Sequence, residues 1–292
     1  MSTFIVSEFP DGNTISVPYQ DWISGKRDPL IISNLYGQQL FSILFNDLGQ
    51  IVFRENEFAW NFDLTYNKDT RYNLLGKIAE AVVVQRCHQN ASVNELFIKY
   101  ARRGNRKPSE TFASKYCAVG TGLLTTQKMF PKFWQPGDTH RDVVWVDISN
   151  PNPNKQMLLQ QINSTLSSGS CAGLQIKVSS NGMKYIYQPL IKHTYYYPVL
   201  YFGTNGDFAE IAQTLMQNGY LHQDMIGVDF IDAKAVDPVA YDQVCNYAYL
   251  IENIFSGKMQ PIDLIMYANN DTTLATAISA TVLSGIGIPS NY

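Results

Sequence analysis

Apolar residues recur along the chain with two different periods, and the change falls near residue 73. Residues 3–7 (TFIVS) and 14–18 (TISVP) run apolar or alternate around Pro10-Asp11-Gly12-Asn13, which predicts a hairpin. Residues 38–46 (QQLFSILFN) and 50–54 (QIVFR) flank Asp47-Leu48-Gly49 and predict a second one. Residues 62–72 are polar and turn-like, so the first 70 residues read as a β-rich region. From Asn73 onward, Leu74, Leu75, Ile78, Ala79, Val82 and Val83 follow helical spacing. Residues 142–148 (DVVWVDI), 172–178 (AGLQIKV) and 194–203 (TYYYPVLYFG) are compact apolar runs, the pattern of buried strands. A helix is predicted over 155–166, and Asn181-Gly182 predicts a hairpin turn into 183–188. A strand over 226–233 lies between helical patterns at 208–219 and 239–255.

Alternating strands and helices predict an α/β core. The organisation that follows is a β-rich region 1–70, a core 71–205 with a basic insertion, and a mostly helical part 206–292 packing on that core. Residues 269–292 give no readable pattern.

Composition narrows the class. The 18 Tyr, 15 Phe and 4 Trp supply ample surface to bury, which excludes a disordered chain. No apolar run is long enough to span a bilayer, and the opening residues lack the basic flank and apolar core of a signal peptide. Cys87, Cys117, Cys171 and Cys245 are widely separated with no CxxC pair, so neither a disulfide scaffold nor a zinc ribbon is expected. A reducing, cytoplasmic location follows from that spacing.

A net charge of -3 argues against a nucleic-acid partner until it is counted by segment. Residues 1–70 hold 4 basic and 9 acidic side chains, residues 71–141 hold 12 and 4, and residues 142–292 hold 6 and 12. The middle stretch is therefore at +8 and contains six of the eight Arg. Clustered Arg and Lys neutralise phosphates, and Arg102, Arg103, Arg106 and Lys107 in the loop 101–109 are the candidate backbone contacts. The same block also suits a solvated face that balances an acidic partner.

Three features with chemical content lie in order. Glu80 sits in the helix after residue 73, Asp142 opens an apolar strand, and Gln175-Ile176-Lys177 lies in the next one. Residues two apart in a strand share a face, so Gln175 and Lys177 point the same way. A Lys within an otherwise buried run needs a partner, and Asp142 is the obvious one. Asp147 is a rival acid, but it has the opposite parity in that strand. His140 lies near Asp138 and Asp142, whereas His88, His193 and His222 are scattered. Val119-Gly120-Thr121-Gly122 lacks the Lys-Ser/Thr of a phosphate loop. The run 194–203 reads as core more readily than as a base-stacking surface.

This order resembles the PD-(D/E)XK nuclease superfamily over residues 73–203, in its branch with Gln-x-Lys in place of Glu-x-Lys. Arg141 stands where that family's Pro would be. The resemblance implies a restriction-endonuclease-like mixed sheet flanked by helices and an Mg²⁺-dependent endonuclease, with Mn²⁺ as a substitute ion. Asp142 would be the main metal ligand, Glu80 would hold a water or second ion, and Gln175 would give a carbonyl oxygen. Lys177 would position or activate the attacking water. Hard oxygen ligands suit Mg²⁺, which keeps several waters. DNA is the expected substrate ahead of RNA, in a host-defence or mobile-element setting, by a homodimer or a larger complex. The alternatives are a non-cleaving nucleic-acid-binding protein on the same fold and a structural or assembly protein.

Overall fold

A computed structural model describes residues 4–8, 14–18, 36–64, 68–138, 140–162, 171–192, 194–220 and 225–266. The chain divides into two compact units, Met1–Arg71 with Cys245–Tyr292, and Tyr72–Val244.

In the first unit β1 (Phe4–Glu8) pairs antiparallel with β2 (Thr14–Pro18), the hairpin that the alternation predicts. The strand predicted over 38–46 is instead helical: α1 (Gln38–Ser42) runs into a π-turn over Ile43–Asp47. Leu40, Ile43 and Leu44 are buried at helical spacing, and a short continuous apolar run carries no period that excludes this. The second hairpin lies further along, with β3 (Ile51–Arg54) against β4 (Glu57–Trp60). Glu55 and Asn56 between them both take positive φ, 51° and 67°, as a tight primed turn requires. Phe58 packs edge-on against Phe41, with ring centroids 4.9 Å apart.

The second unit opens on α2 (Lys68–Gln89), which begins inside the segment predicted as a polar turn. From Leu74 to Val84 it is buried almost all round, so it is an interior helix rather than an amphipathic one. Asn90 caps α3 (Ala91–Ala101), accepting a hydrogen bond from the Val93 N–H at 3.2 Å. Its buried Asn94 accepts from the Trp145 indole N–H at 2.8 Å. The basic loop follows and ends at α4 (Glu110–Ala113), so it is a turn between helices. Then come β5 (Tyr116–Gly120), α5 (Leu124–Met129) and β6 (Val143–Asp147).

The helix predicted over 155–166 is absent from the described residues. Pro153–Lys155 make one 3-10 turn, after which the chain extends and Leu158 bridges Val146, while Gln160 bridges Cys171. Residues 163–166 of that prediction lie outside the described residues.

β7 (Gly173–Ser179) is followed not by a hairpin but by helices. Asn181 caps α6 (Gly182–Tyr185) by accepting from the Lys184 N–H, and α7 (Tyr187–Ile191) follows. Gly182 is set by packing rather than by a turn, because a Cβ there would collide with Tyr201 and Ile211. β8 (Val199–Gly203), α8 (Phe208–Gln217), β9 (Phe230–Asp232), α9 (Ala233–Val236), α10 (Pro238–Phe255) and α11 (Asp263–Met266) complete the order. The last of these, and the end of α10, fall in the first unit.

The five strands β5 to β9 lie in chain order in one mixed sheet. β5, β6 and β7 run antiparallel, whereas β8 and β9 run parallel to β7. An antiparallel neighbour needs only a turn or loop, while a parallel one needs a crossover, which α6 and α7 supply between β7 and β8. The result is an α/β fold with helices flanking the mixed sheet. No helix among the described residues is long and apolar enough to cross a membrane.

Candidate active site

Strand register brings Asp142 to Gln175. Val143 pairs with Leu174 and Val144 with Gly173, so one further step sets Asp142 opposite Gln175. The Asp142 N–H donates to the Leu174 carbonyl at 2.9 Å. Its Oδ2 accepts two hydrogen bonds, from the Ile176 backbone N–H at 2.6 Å and from Gln175 Nε2 at 2.7 Å. A carboxylate only accepts, so the amide NH₂ of Gln175 must face it and the carbonyl end must face away. Gln175 is 2% exposed, and its Oε1 is buried with no hydrogen-bond partner. A buried carbonyl of this kind carries an unmet desolvation penalty of about 1–3 kcal/mol.

The electrostatics follow from burial. Asp142 is pushed up from 3.8 to about 6 by desolvation, against the attraction of Lys177 and the Ile176 hydrogen bond, with Asp138 adding a little. Lys177 is pushed down by burial and held up in part by Asp142. The Lys177 ammonium lies 5.1 Å from the centre of the Tyr195 ring, within cation–π reach. Burial and then the Asp142 charge push the Tyr185 phenol up, and burial, Tyr185 and Asp142 do the same to Tyr195. Tyr195 therefore lies against Lys177, which its place in the sequence gave no reason to expect.

Glu80 reaches the site through a glycine turn. Its Oε1 accepts from the Gly122 N–H at 2.9 Å, and a Cβ at Gly120 would lie 2.6 Å from the same oxygen. Thr121 between them donates its N–H to the Asp142 carbonyl at 2.8 Å and its hydroxyl to the Arg141 carbonyl at 2.6 Å. One three-residue turn thus fixes Glu80 on one side and the Asp142 backbone on the other. The two glycines exist for close approach, not for cradling phosphate.

Arg141, in the place of the family's Pro, anchors the approach to Asp142. Its guanidinium donates to Asp138 Oδ2 at 2.7 Å, to Gln135 Oε1 at 2.8 Å and to Cys171 Sγ at 2.9 Å. Burial raises the Asp138 carboxyl, but the His140 N–H and the Arg141 guanidinium outweigh it and hold the group below its ordinary value. His140 places its ring edge-on to Tyr196 at 4.9 Å. Asp147 sits at the far end of β6 and accepts from the Ser149 N–H and hydroxyl, so it serves the following turn.

Of the four basic residues of the loop 101–109, two are already engaged. Arg103 donates to Asp229 Oδ1 at 2.6 Å, Gln161 Oε1 at 3.0 Å and the Tyr196 carbonyl at 3.0 Å. Arg102 donates to the Gln160 carbonyl at 3.1 Å and lies over Phe112. Arg106 and Lys107 are exposed, Lys107 donating to the Ser92 hydroxyl at 3.2 Å.

No family model, curated protein or solved structure matches the chain. The chemistry must therefore be read from the donor set. Among the described residues no group of three or more His, Cys, Asp or Glu is arranged to hold a metal ion. One carboxylate and one orphaned amide oxygen lie on facing residues, and with the Gln175 amide turned over, in place of its hydrogen bond to Asp142, the pair fits a hard divalent cation that takes its other ligands from water and phosphate.

Proposed function

We propose that this chain is a metal-dependent nuclease, hydrolysing phosphodiester bonds at Asp142, Gln175 and Lys177. The observation that carries the reading is the buried, unpartnered Gln175 Oε1 beside a carboxylate that is itself under-compensated for burial. With the Gln175 amide turned over, an ion coordinated by its oxygen and by Asp142 would satisfy both. The element order supports the same reading: a helix bearing Glu80, three antiparallel strands bearing Asp142 and Gln175-Ile176-Lys177, helices, and a strand parallel to the third.

Asp142 and Gln175 would hold Mg²⁺ or Mn²⁺, with Glu80 orienting the glycine turn beside it or binding an outer water. The ion, when bound, offsets phosphate charge and makes water a better nucleophile. The Ile176 N–H holds the Asp142 carboxylate in one rotamer, so its orientation needs no rearrangement during reaction. Lys177 presents a cation to the phosphate, and its charge stabilises the negative charge that develops as the attacking oxygen adds. Tyr195 limits where the Lys177 ammonium can go. The exposed Arg106 and Lys107 supply sequence-independent attraction for the nucleic-acid backbone.

The test is cleavage of supercoiled plasmid and of labelled oligonucleotides with Mg²⁺ or Mn²⁺. Asp142→Ala and Lys177→Ala should each lower the rate by about two orders of magnitude or more. Cleavage by both variants at the parent's rate would remove these residues from the site. Salt-sensitive binding by the parent without cleavage at any ion would identify a non-cleaving nucleic-acid binder instead.

A further inference from the structure

Three consecutive tyrosines before β8 have three different fates. Tyr195 lies against the Lys177 ammonium, and Tyr197 lies under the Arg141 guanidinium with its hydroxyl 3.4 Å from Cys171 Sγ. Tyr196 alone turns outward, with 61% of its surface exposed and only the His140 ring edge against it. The run expected to be core is therefore split: Val199–Gly203 are buried, while Tyr195, Tyr196 and Tyr197 lie against Lys177, His140 and Arg141.

The backbone under Tyr196 is held on three sides. Its own carbonyl accepts from Arg103 at 3.0 Å, the Pro198 carbonyl accepts from the Gln175 N–H at 2.9 Å, and the Thr194 N–H donates to the Pro189 carbonyl at 3.0 Å. An exposed aromatic on an anchored backbone loses little freedom when something stacks on it. Arg103, drawn from the basic loop, thereby positions this segment instead of contacting phosphate.

We propose that Tyr196, set against His140 two residues before Asp142, is a stacking platform for an unpaired nucleobase, so that this site takes single-stranded or locally opened nucleic acid. The inference rests on the nuclease reading and names its substrate class. A base inside a duplex has both faces covered by its neighbours, and only a base that is unpaired offers a face to a side chain. Stacking on an aromatic is tolerant of sequence, and the neighbouring Lys177 and Arg141 supply the charge that the attached phosphate needs.

The experiment measures binding by fluorescence anisotropy of the full chain in Ca²⁺, which supports phosphate binding without turnover. The probes are a dT oligonucleotide, its matched duplex, and an abasic strand of the same length. The parent should bind the dT strand more tightly than the duplex. Tyr196→Ala should weaken dT binding by roughly 5- to 100-fold, while Tyr196→Phe retains it. On the abasic strand Tyr196→Ala should change little, because there is no base to lose. Tighter binding of the duplex, or an equal effect of Tyr196→Ala on the dT and abasic strands, would overturn the stacking role. If the duplex is also cut and cleavage depends on Asp142, only the stacking inference fails. Absence of binding to all three probes overturns both readings.

Discussion

Replacing Asp142 with Asn separates a functional carboxylate from a structural one. In the folded chain the carboxyl keeps its proton up to about 6, whereas in the unfolded chain it releases it near 3.8. Below about pH 4 the group is neutral in both states and has no effect on stability. Above about pH 6 it is charged in both, and the folded state bears the penalty. At about 1.4 kcal/mol per tenfold, that penalty amounts to about 3 kcal/mol. Asn keeps the shape and still offers one oxygen to the Ile176 N–H and Gln175 Nε2, but it removes the charge. Part of the gain is lost because Lys177 no longer has its anion. We therefore expect Asp142→Asn to gain about 1–2 kcal/mol at pH 8, a rise of roughly 2–8 °C in melting temperature. The gain should shrink toward zero as the pH falls to about 4. Thermal melts of parent and variant from pH 4 to 8 read this directly. A loss of more than about 1 kcal/mol at pH 8 would refute the reasoning, since it would mean that the Asp142–Lys177 pair holds the fold together.

Other expectations follow from the same geometry. Cleavage should climb with pH through about 6 as Asp142 ionises, and high metal concentration should move that midpoint downward; a rate flat from pH 5 to 8 would contradict the assignment. Gly120→Ala should destabilise by about 1–3 kcal/mol and reduce activity, because its Cβ meets Glu80 Oε1 and Leu123 at 2.6 Å; a melt and a rate both at the parent's level would argue against the turn's role. Arg103→Met leaves Asp229 and the Tyr196 carbonyl without their donor and should lower stability by about 1–3 kcal/mol, with little change in the salt dependence of nucleic-acid binding. Arg106→Ala and Lys107→Ala should instead flatten that salt dependence, by about one unit of slope each at most, without moving the melting temperature.

The strands that carry the site were legible in the sequence, since a Val-rich run at 143–147 and a short run at 173–179 whose apolar residues are interrupted by Gln175 and Lys177 both read as buried strands. Parity alone put Gln175 and Lys177 on one face. What the sequence could not supply was the register, and with it the contact between Asp142 and the Gln175 amide. The misread elements share a cause. Residues 38–46 are a short apolar run whose spacing satisfies either period, and the apolar residues of 157–162 are too few to fix one, so tertiary surroundings decided between helix and extended chain. Asn181-Gly182 carries a hairpin signature, but there the Asn caps a helix and the Gly avoids Tyr201. Charge counting located the basic block correctly as sequence and said nothing of its geometry: Arg103 turned out to be an internal brace. Tyr195 and Tyr196 were hidden for the opposite reason, because a tyrosine-rich run before a strand looks like the strand itself.

Manganese placed into crystals of the protein offers the most direct decision. Mn²⁺ scatters anomalously and accepts the same hard oxygen donors as Mg²⁺. An anomalous peak bonded to an Asp142 oxygen and to Gln175 Oε1, at about 2.1–2.3 Å and lost in Gln175→Leu, is the expected result. Fully ordered Asp142 and Gln175 side chains with no peak, from crystals soaked at millimolar Mn²⁺ that still cut DNA in solution, would contradict a metal at this site.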